Sequence, residues 1–246
     1  MQQSNTYIII FTALMTIFFG FILSITRMKL EPIQDIQVEI DTKKKILGAV
    51  MEISSLSPEE ILSTYNKKMK SVVVNIKGEI KDSFVAEEVN VQKNFKVNPE
   101  DRQYPVFMYS NSGESIDAYI FPMFGNGLWD WISGFVALDN NLNRVIGVSF
   151  DHKTETPGLG ARISSSEIQD RYKGKEIYDD DGKLVSIFML RRENNDNLSK
   201  HEVDGMSGAT ITAKGLNNML THYFDCYRAF IEEKKLENTL KVSYGQ

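Results

Sequence analysis

The residues best suited to carry chemistry lie in a glycine-containing segment, residues 204–210, which reads DGMSGAT. It is followed by Ile211-Thr212-Ala213-Lys214 and then by a pattern typical of a long helix. A turn that leads into a helix N-terminus presents unpaired backbone N–H groups and a partial positive charge, which together suit a phosphate group. A purely structural alternative is that the segment only begins the helix, with Thr210 or Thr212 as the N-cap.

The helix after this segment has one apolar face, because its apolar residues recur at intervals of three and four. They are Leu216, Met219, Leu220, Tyr223, Phe224, Tyr227, Phe230 and Ile231. The one cysteine, Cys226, lies beside this stripe and is interpreted as a structural thiol. A single cysteine excludes an internal disulfide, a structural zinc cluster and a Cys-ligated iron–sulfur centre within this chain.

Composition narrows the class of protein. The 246 residues are 42% apolar and 25% charged with a net charge of −5, enough for one sizeable domain or two small ones. The acidic balance argues against nucleic acid as a partner. We find no Rossmann glycine fingerprint, no nucleophilic triad and no metal-ligand spacing among His152, His201 and His222. The sequence therefore predicts neither a catalytic residue nor a metal site in this chain.

An apolar run near the N-terminus predicts a membrane anchor. Residues 1–26 carry no charged side chain, and residues 7–26 would span about 30 Å as a helix. A cleaved signal peptide is disfavoured because a basic leader and a small-residue cleavage site are both missing. Arg27 and Lys29 follow the run, so the positive-inside rule alone would keep the large domain cytoplasmic, although long domains translocate largely regardless of charge.

Beyond the anchor, the pattern predicts an α+β fold with a mixed, largely antiparallel sheet and packed helices. A helix is expected over residues 41–52, and another from the capping box at residues 57–60 to about Met69. The lysines at residues 43–45 are interpreted as a solvated helix face, with contact to lipid head groups as the alternative. Predicted strands cover residues 72–76, 84–91, 105–109, 115–121, 132–138, 144–150 and 183–190, and a short helix covers residues 164–172.

Two loops in the sheet region have unusual compositions. Residues 125–131 read GNGLWDW, and residues 154–160 read TETPGLG. Both can be tight turns, with tryptophan filling the core. The functional alternative is a shallow apolar shelf for a flat ring, with Glu155 and nearby backbone amides in contact with the ring edge.

Several strings in this sequence match a known family. DGMSGAT resembles the motif Asp-x-x-[Ser/Thr]-Gly-Ala-Thr, in which a flavin transferase esterifies FMN through its phosphate onto the final threonine. GNGLW, SGFVALD, ETPGLG and DGMSGAT, in this order after an anchor, resemble the C-subunit family of the sodium-translocating NADH:quinone oxidoreductases. The related G subunit of the Rnf complex shares the anchor, a TPGLG-like loop and the motif, and stays as an alternative.

The resemblance implies a set of site residues. Thr210 is the expected attachment point of covalent FMN. The expected recognition and pocket elements of the motif are Asp204, Ser207, Gly208 and Ala209. The expected ring contacts are Glu155, Thr156, Gly158, Leu159 and Trp129.

The resemblance also implies a place in a larger assembly. It predicts one electron carrier of a six-subunit complex, single-pass in the bacterial inner membrane, with its large domain periplasmic and its NADH site on another subunit. The chain would relay electrons between an iron–sulfur centre and a second covalent flavin, while other subunits transport sodium. The predicted divisions are a short cytoplasmic tail (1–6), the anchor (7–26), a membrane-proximal segment (27–98), the FMN-binding domain (99–235) and a C-terminal tail (236–246). A stand-alone membrane-anchored flavoprotein reductase and a non-enzymatic anchoring subunit stay as alternatives.

Overall fold

The computed structural model describes residues 4–244, with side chains described for residues 4–240. The chain divides into two compact units, Met1–Lys43 and Lys44–Gln246. Helix α1 (Asn5–Gly48) is the one described helix that is long and apolar enough to cross a membrane. It does not stop at residue 26 but continues through Pro32, which removes one backbone donor without ending the helix.

The remaining elements belong to the second unit. Its α-helices are α2 (Pro58–Lys68), α3 (Val91–Asn94), α4 (Ser166–Asp170) and α5 (Thr210–Tyr244). Its strands are β1 (Met69–Val74), β2 (Tyr104–Tyr109), β3 (Ala118–Asn126), β4 (Trp131–Asp139), β5 (Val145–His152), β6 (Phe188–Met189) and β7 (Glu202–Val203). Helix α5 includes residues 236–244 of the predicted tail. Parts of both predicted tails, residues 1–3 and 245–246, lie outside the described residues.

Strands β1 to β5 form one sheet in chain order, and each neighbouring pair is antiparallel. Strands β6 and β7 form a separate parallel pair. The predicted α+β class, with largely antiparallel strand pairing and packed helices, is therefore confirmed, and the parallel pairing lies in the separate pair rather than in one mixed sheet. β1, from the range predicted as membrane-proximal, is an edge strand of the same sheet.

Helix α5 packs across β3 on one face of the sheet. All eight residues of the predicted apolar stripe are buried there. The Tyr227 hydroxyl lies within hydrogen-bond distance of the Pro105 carbonyl (2.9 Å) and the Pro122 carbonyl (3.2 Å), so the helix is tied to two neighbouring strands. A second, smaller apolar cluster includes Leu47 and Ile61.

Two predicted strands are wrong over most of their length. Residues 84–91 contain a short 3-10 helix (Ala86–Glu88) instead of a strand, because the hydroxyls of Tyr65 and Ser71 hold the Glu87 side chain there. Within residues 183–190, only the two residues of β6 form a strand. Ser186 has a φ of 69°, a left-handed conformation that interrupts an extended run.

The contact between α5 and the end of β3 can be tested at Gly215. A Cβ atom on Gly215 would lie within van der Waals overlap of the Asn126 carbonyl oxygen, which is backbone and cannot easily move. Gly→Ala in an open helix raises stability by about 1 kcal/mol. Here we expect Gly215→Ala to lower the free energy of unfolding by about 1–3 kcal/mol, because the helix must shift away from the strand.

Urea denaturation measures this change. Lys214→Ala, at the neighbouring exposed position, is the control and should change the free energy by less than about 0.5 kcal/mol. A Gly215→Ala variant more stable than the parent would contradict the close approach.

Candidate functional site

The segment DGMSGAT forms a turn that leads directly into α5. Thr210 is the first residue of the helix and is exposed, as are Ser207 and Gly208, whereas Met206 and Ala209 are buried. The unpaired N–H groups of the first helical turn therefore lie next to the Thr210 hydroxyl. The Thr210 side chain is therefore exposed at the N-terminal end of α5.

Gly208 allows the second loop, residues 154–160, to lie against this turn. Its φ is 75°, which a residue with a Cβ atom rarely adopts. A Cβ atom there would lie 2.8 Å from the Leu159 Cδ2 atom, so the Leu159 side chain lies directly against the turn. Two motifs about 50 residues apart in sequence are thus in contact.

Thr212 is not an N-cap. Because α5 begins at Thr210, Thr212 lies inside the first turn. Its hydroxyl donates a hydrogen bond of 2.6 Å to Oε2 of Glu155, and both residues are buried. The N-cap alternative for Thr212 is therefore wrong.

Glu155 connects three segments of the chain. Its Oε2 atom accepts from Thr212, and its Oε1 atom accepts from the backbone N–H groups of Leu128 (2.8 Å) and Trp129 (3.0 Å). The Glu155 backbone N–H in turn donates to Nδ1 of His152 at 3.3 Å. With 4% of its surface exposed, the carboxylate is directed at protein groups and fixes both loops to the start of the helix.

Two glycines make room for this carboxylate. A Cβ atom on Gly127 would overlap Oε1 of Glu155, and one on Gly160 would overlap Oε2. Larger residues at either position would displace the carboxylate. The glycines in both loops therefore serve the close approach of Glu155 to backbone, in addition to turning the chain.

Trp129 does not fill the core, which corrects that interpretation for this residue. Its side chain is 68% exposed, and the indole N–H donates to the Thr156 hydroxyl at 3.2 Å. Trp131, by contrast, packs against Phe124 with ring centroids 5.9 Å apart.

Gly158 has a φ of 75° and faces open space. Other large apolar side chains exposed in these segments are Leu128, Leu159 and Ile211.

Asp204 lies at the start of the turn and holds a neighbouring loop. Its carboxylate accepts hydrogen bonds from the backbone N–H groups of Asn194 (2.8 Å) and Asn195 (3.1 Å) and from the Asn195 side chain (2.7 Å). Burial raises the pKa of the Asp204 carboxyl, but these hydrogen bonds outweigh burial and bring it below its ordinary value. Asp204 thus supports the turn through the loop at residues 194–195.

A second carboxylate, Glu193, binds the turn itself. It accepts from the Ser207 backbone N–H at 3.1 Å and from the guanidinium groups of Arg162 and Arg171. Hydrogen bonds from Arg162, Arg171 and the Ser207 N–H, in that order, lower the pKa of the Glu193 carboxyl to about 2. Sequence analysis missed Glu193 and both arginines. Glu193 lies 31 residues from Arg162, 22 from Arg171 and 14 from Ser207, and separations of this size form no periodic pattern.

The coupling between Glu155 and Thr212 can be tested by a double-mutant cycle. Thr212→Val keeps the shape but removes the hydroxyl, and we expect it to lower the free energy of unfolding by about 1.5–3 kcal/mol, the range for a hydrogen bond to a charged group. In a Glu155→Gln background the same change should cost at least about 1 kcal/mol less, because the charged acceptor is already lost.

Denaturation of the four proteins gives the coupling, and Thr212→Ser, which keeps the hydroxyl, is the control. Equal costs of Thr212→Val in both backgrounds would show that the two side chains do not act together.

Comparisons with known proteins show what this chain is similar to. Residues 127–225 match the family model described as FMN-binding domain, a range that contains residues 127–131 of the first loop, the whole second loop, the turn and α5 as far as Asp225. The chain is 28% identical over 231 residues to the C subunit of the Na(+)-translocating NADH-quinone reductase of Haemophilus ducreyi, with 86% of each chain covered. It is 35% identical over 138 residues to the Pseudomonas aeruginosa protein of the same name, covering 55% of this chain and 52% of that protein.

A solved structure extends the likeness over the fold. The crystal structure of the C subunit of the Na(+)-translocating NADH-quinone reductase from Parabacteroides distasonis superposes with a TM-score of 0.72 and 31% identity. The match covers 82% of this chain and 96% of that one. With this match and the FMN-binding domain, the chain belongs to the C-subunit family of the Na(+)-translocating NADH-quinone reductases.

Proposed function

We propose that this chain is an electron-carrying FMN flavoprotein subunit of a sodium-translocating NADH:quinone oxidoreductase, and that its FMN is esterified through the phosphate to Thr210. The observation that carries the proposal is the exposed Thr210 side chain at the N-terminus of α5, next to Gly208. The names of the relatives and the FMN-binding domain support the flavin and the complex.

The residues around Thr210 fit a flavin phosphate. The first-turn N–H groups and the positive end of the α5 dipole favour the single negative charge of a phosphodiester. Gly208, without a side chain, lets Leu159 lie against the turn beside Thr210, and its positive φ directs the chain into the helix. Ser207, Gly208, Ala209 and Asp204 would serve as the elements that a flavin transferase recognises.

The exposed apolar side chains fit a flat ring. Leu159 lies against Gly208, Ile211 follows Thr210, and the backbone of Trp129 is bound to Glu155. We expect Trp129 and Leu159 to contact one face of the ring, with Thr156 and Gly158 near its edge. Glu155 would act mainly by fixing the loops, since both of its carboxylate oxygens already accept hydrogen bonds from Leu128, Trp129 and Thr212.

Bound FMN would supply reversible one- and two-electron chemistry, and the protein would position the ring and tune its potential. The chain has no dinucleotide fingerprint, so we assign NADH oxidation to another subunit of the complex. An edge of the ring can stay exposed for electron exchange, because a covalent bond keeps the cofactor in place without deep enclosure.

The membrane arrangement is part of the proposal. Helix α1 supports a single-pass anchor by its length and composition. We place the large domain on the periplasmic side of the bacterial inner membrane. Arg27 and Lys29 alone would favour the cytoplasmic side, and we give the family resemblance more weight than these two charges. Covalent attachment suits that side, where free FMN is scarce.

The attachment is tested with Thr210→Ala. The chain produced with a flavin transferase should fluoresce in a denaturing gel and carry the mass of FMN less one water. Thr210→Ala should lose both signals while its free energy of unfolding changes by less than about 0.5 kcal/mol, because an exposed residue contributes little to the core.

Thr239→Ala, an exposed position elsewhere on α5, is the control and should keep the flavin. In membranes with the whole complex, Thr210→Ala should also abolish NADH-driven quinone reduction without preventing assembly. Covalent flavin on the Thr210→Ala chain would refute the attachment. Full quinone reduction by that variant would refute the relay.

The ring contacts are tested with Leu159→Ala. The ester at Thr210 should survive, while the absorption spectrum and midpoint potential of the bound flavin should shift, because the loss of an apolar contact removes about 1 kcal/mol of ring burial. Ile80→Ala is a matched control, since Ile80 is also a half-exposed apolar residue but lies beside the edge of β1. A Leu159→Ala flavin identical to the parent would mean that this loop is only a turn.

A further inference from the structure

Glu193 and two arginines form a clamp against the DGMSGAT turn, which we call the Glu193 clamp. Oε1 of Glu193 accepts from Nη2 of Arg162 (2.6 Å) and Nη2 of Arg171 (2.9 Å). Oε2 accepts from Nη1 of Arg162 (3.2 Å) and from the Ser207 N–H (3.1 Å). The two-point contact with Arg162 fixes the orientation of the carboxylate as well as its position.

Arg171 holds the same turn at two further points. Its Nη1 group donates to the carbonyl oxygens of Gly205 and Asp204, the latter at 3.3 Å. Gly205 also packs against another part of the chain, because a Cβ atom there would overlap the Arg192 carbonyl oxygen. The backbone at residues 204, 205 and 207 is therefore bound to a single group of charged side chains.

The clamp acts on the exposed side of a turn whose other side is buried at Met206 and Ala209. Ser207, Gly208 and Thr210 are exposed, and Gly208 has the permissive backbone of glycine. Ser207 precedes Thr210 by three residues, so the backbone that the clamp holds leads directly into the residue proposed to carry the flavin.

Resting on the proposed attachment of FMN to Thr210, we propose that Glu193 is a positioning residue for the bound flavin. By fixing the Ser207 backbone it sets the origin of the phosphodiester tether, and so holds the ring over Leu159 and Trp129. Loss of a hydrogen bond to a charged group corresponds to roughly a tenfold change in the balance between two conformations. Without the clamp, the flavin stays attached but spends more time away from the loops.

The test compares Glu193→Gln with Glu167→Gln in the full chain, produced with a flavin transferase and loaded with FMN. Glu167 is a matched control, because it pairs with the same arginines (2.8 Å to Arg162 and 2.7 Å to Arg171), while its described contacts do not include the turn. Flavin fluorescence anisotropy, midpoint potential and covalent occupancy are measured alongside thermal unfolding.

We expect Glu193→Gln to keep full covalent occupancy, to lose much of the flavin anisotropy and to shift the midpoint potential. Glu167→Gln should match the parent in all three. The proposal would be overturned if Glu193→Gln had the flavin anisotropy and midpoint potential of the parent. It would also be overturned if Glu193→Gln and Glu167→Gln lost anisotropy equally. If Glu193→Gln does not fold, Arg162→Lys decides: it keeps the charge but not the two-point contact, and it should lower anisotropy by a smaller amount.

Failure of the proposed function would look different. Thr210→Ala that retains covalent flavin, or a parent chain without flavin, refutes the attachment itself and leaves no tether for Glu193 to position. A flavin bound at Thr210 with the same mobility in Glu193→Gln as in the parent refutes only the role of the clamp.

Discussion

The buried carboxylate of Glu155 is the interaction on which the candidate site depends. A charge removed from water is costly unless hydrogen bonds compensate for it. Here three donors do so: the Thr212 hydroxyl and the backbone N–H groups of Leu128 and Trp129. Because these donors come from a loop and a helix start that are distant in the chain, satisfying one charge assembles the whole surface around Thr210.

This arrangement can form only because the scaffold brings the three segments to one end of the sheet. The register of β3 and β4 pairs Asn126 with Trp131, which closes the first loop tightly. The approach of Gly215 to the Asn126 carbonyl sets how near α5 comes to that loop. Tyr227 then ties the helix to the sheet about three turns further along. Core packing thus determines the geometry of an exposed site.

Local and periodic features were predictable from the sequence, and contacts between distant segments were not. The buried face of α5, the capping box at Ser57 and the strands that pair as β2–β3 and β4–β5 follow from spacing and turn chemistry. The left-handed conformation of Ser186 has no such signal, and neither does the bond between Glu155 and Thr212, 57 residues apart. A motif could point to Thr210, but a motif does not contain the groups that support it from other parts of the chain.

The turn at residues 204–210 contains the hydroxyl proposed for attachment, whereas the groups proposed to position the cofactor lie elsewhere in the folded domain. The hydroxyl of Thr210 and its neighbours are contiguous and would travel together if the segment were transplanted into an unrelated loop. Leu159 and Glu193, which contact the turn, and Glu155, which binds Thr212 just after it, would stay behind, because all three act through tertiary contacts. Under the attachment proposed for Thr210, such a graft would be modular as a point of attachment but not as a redox centre, since its flavin would move freely in water.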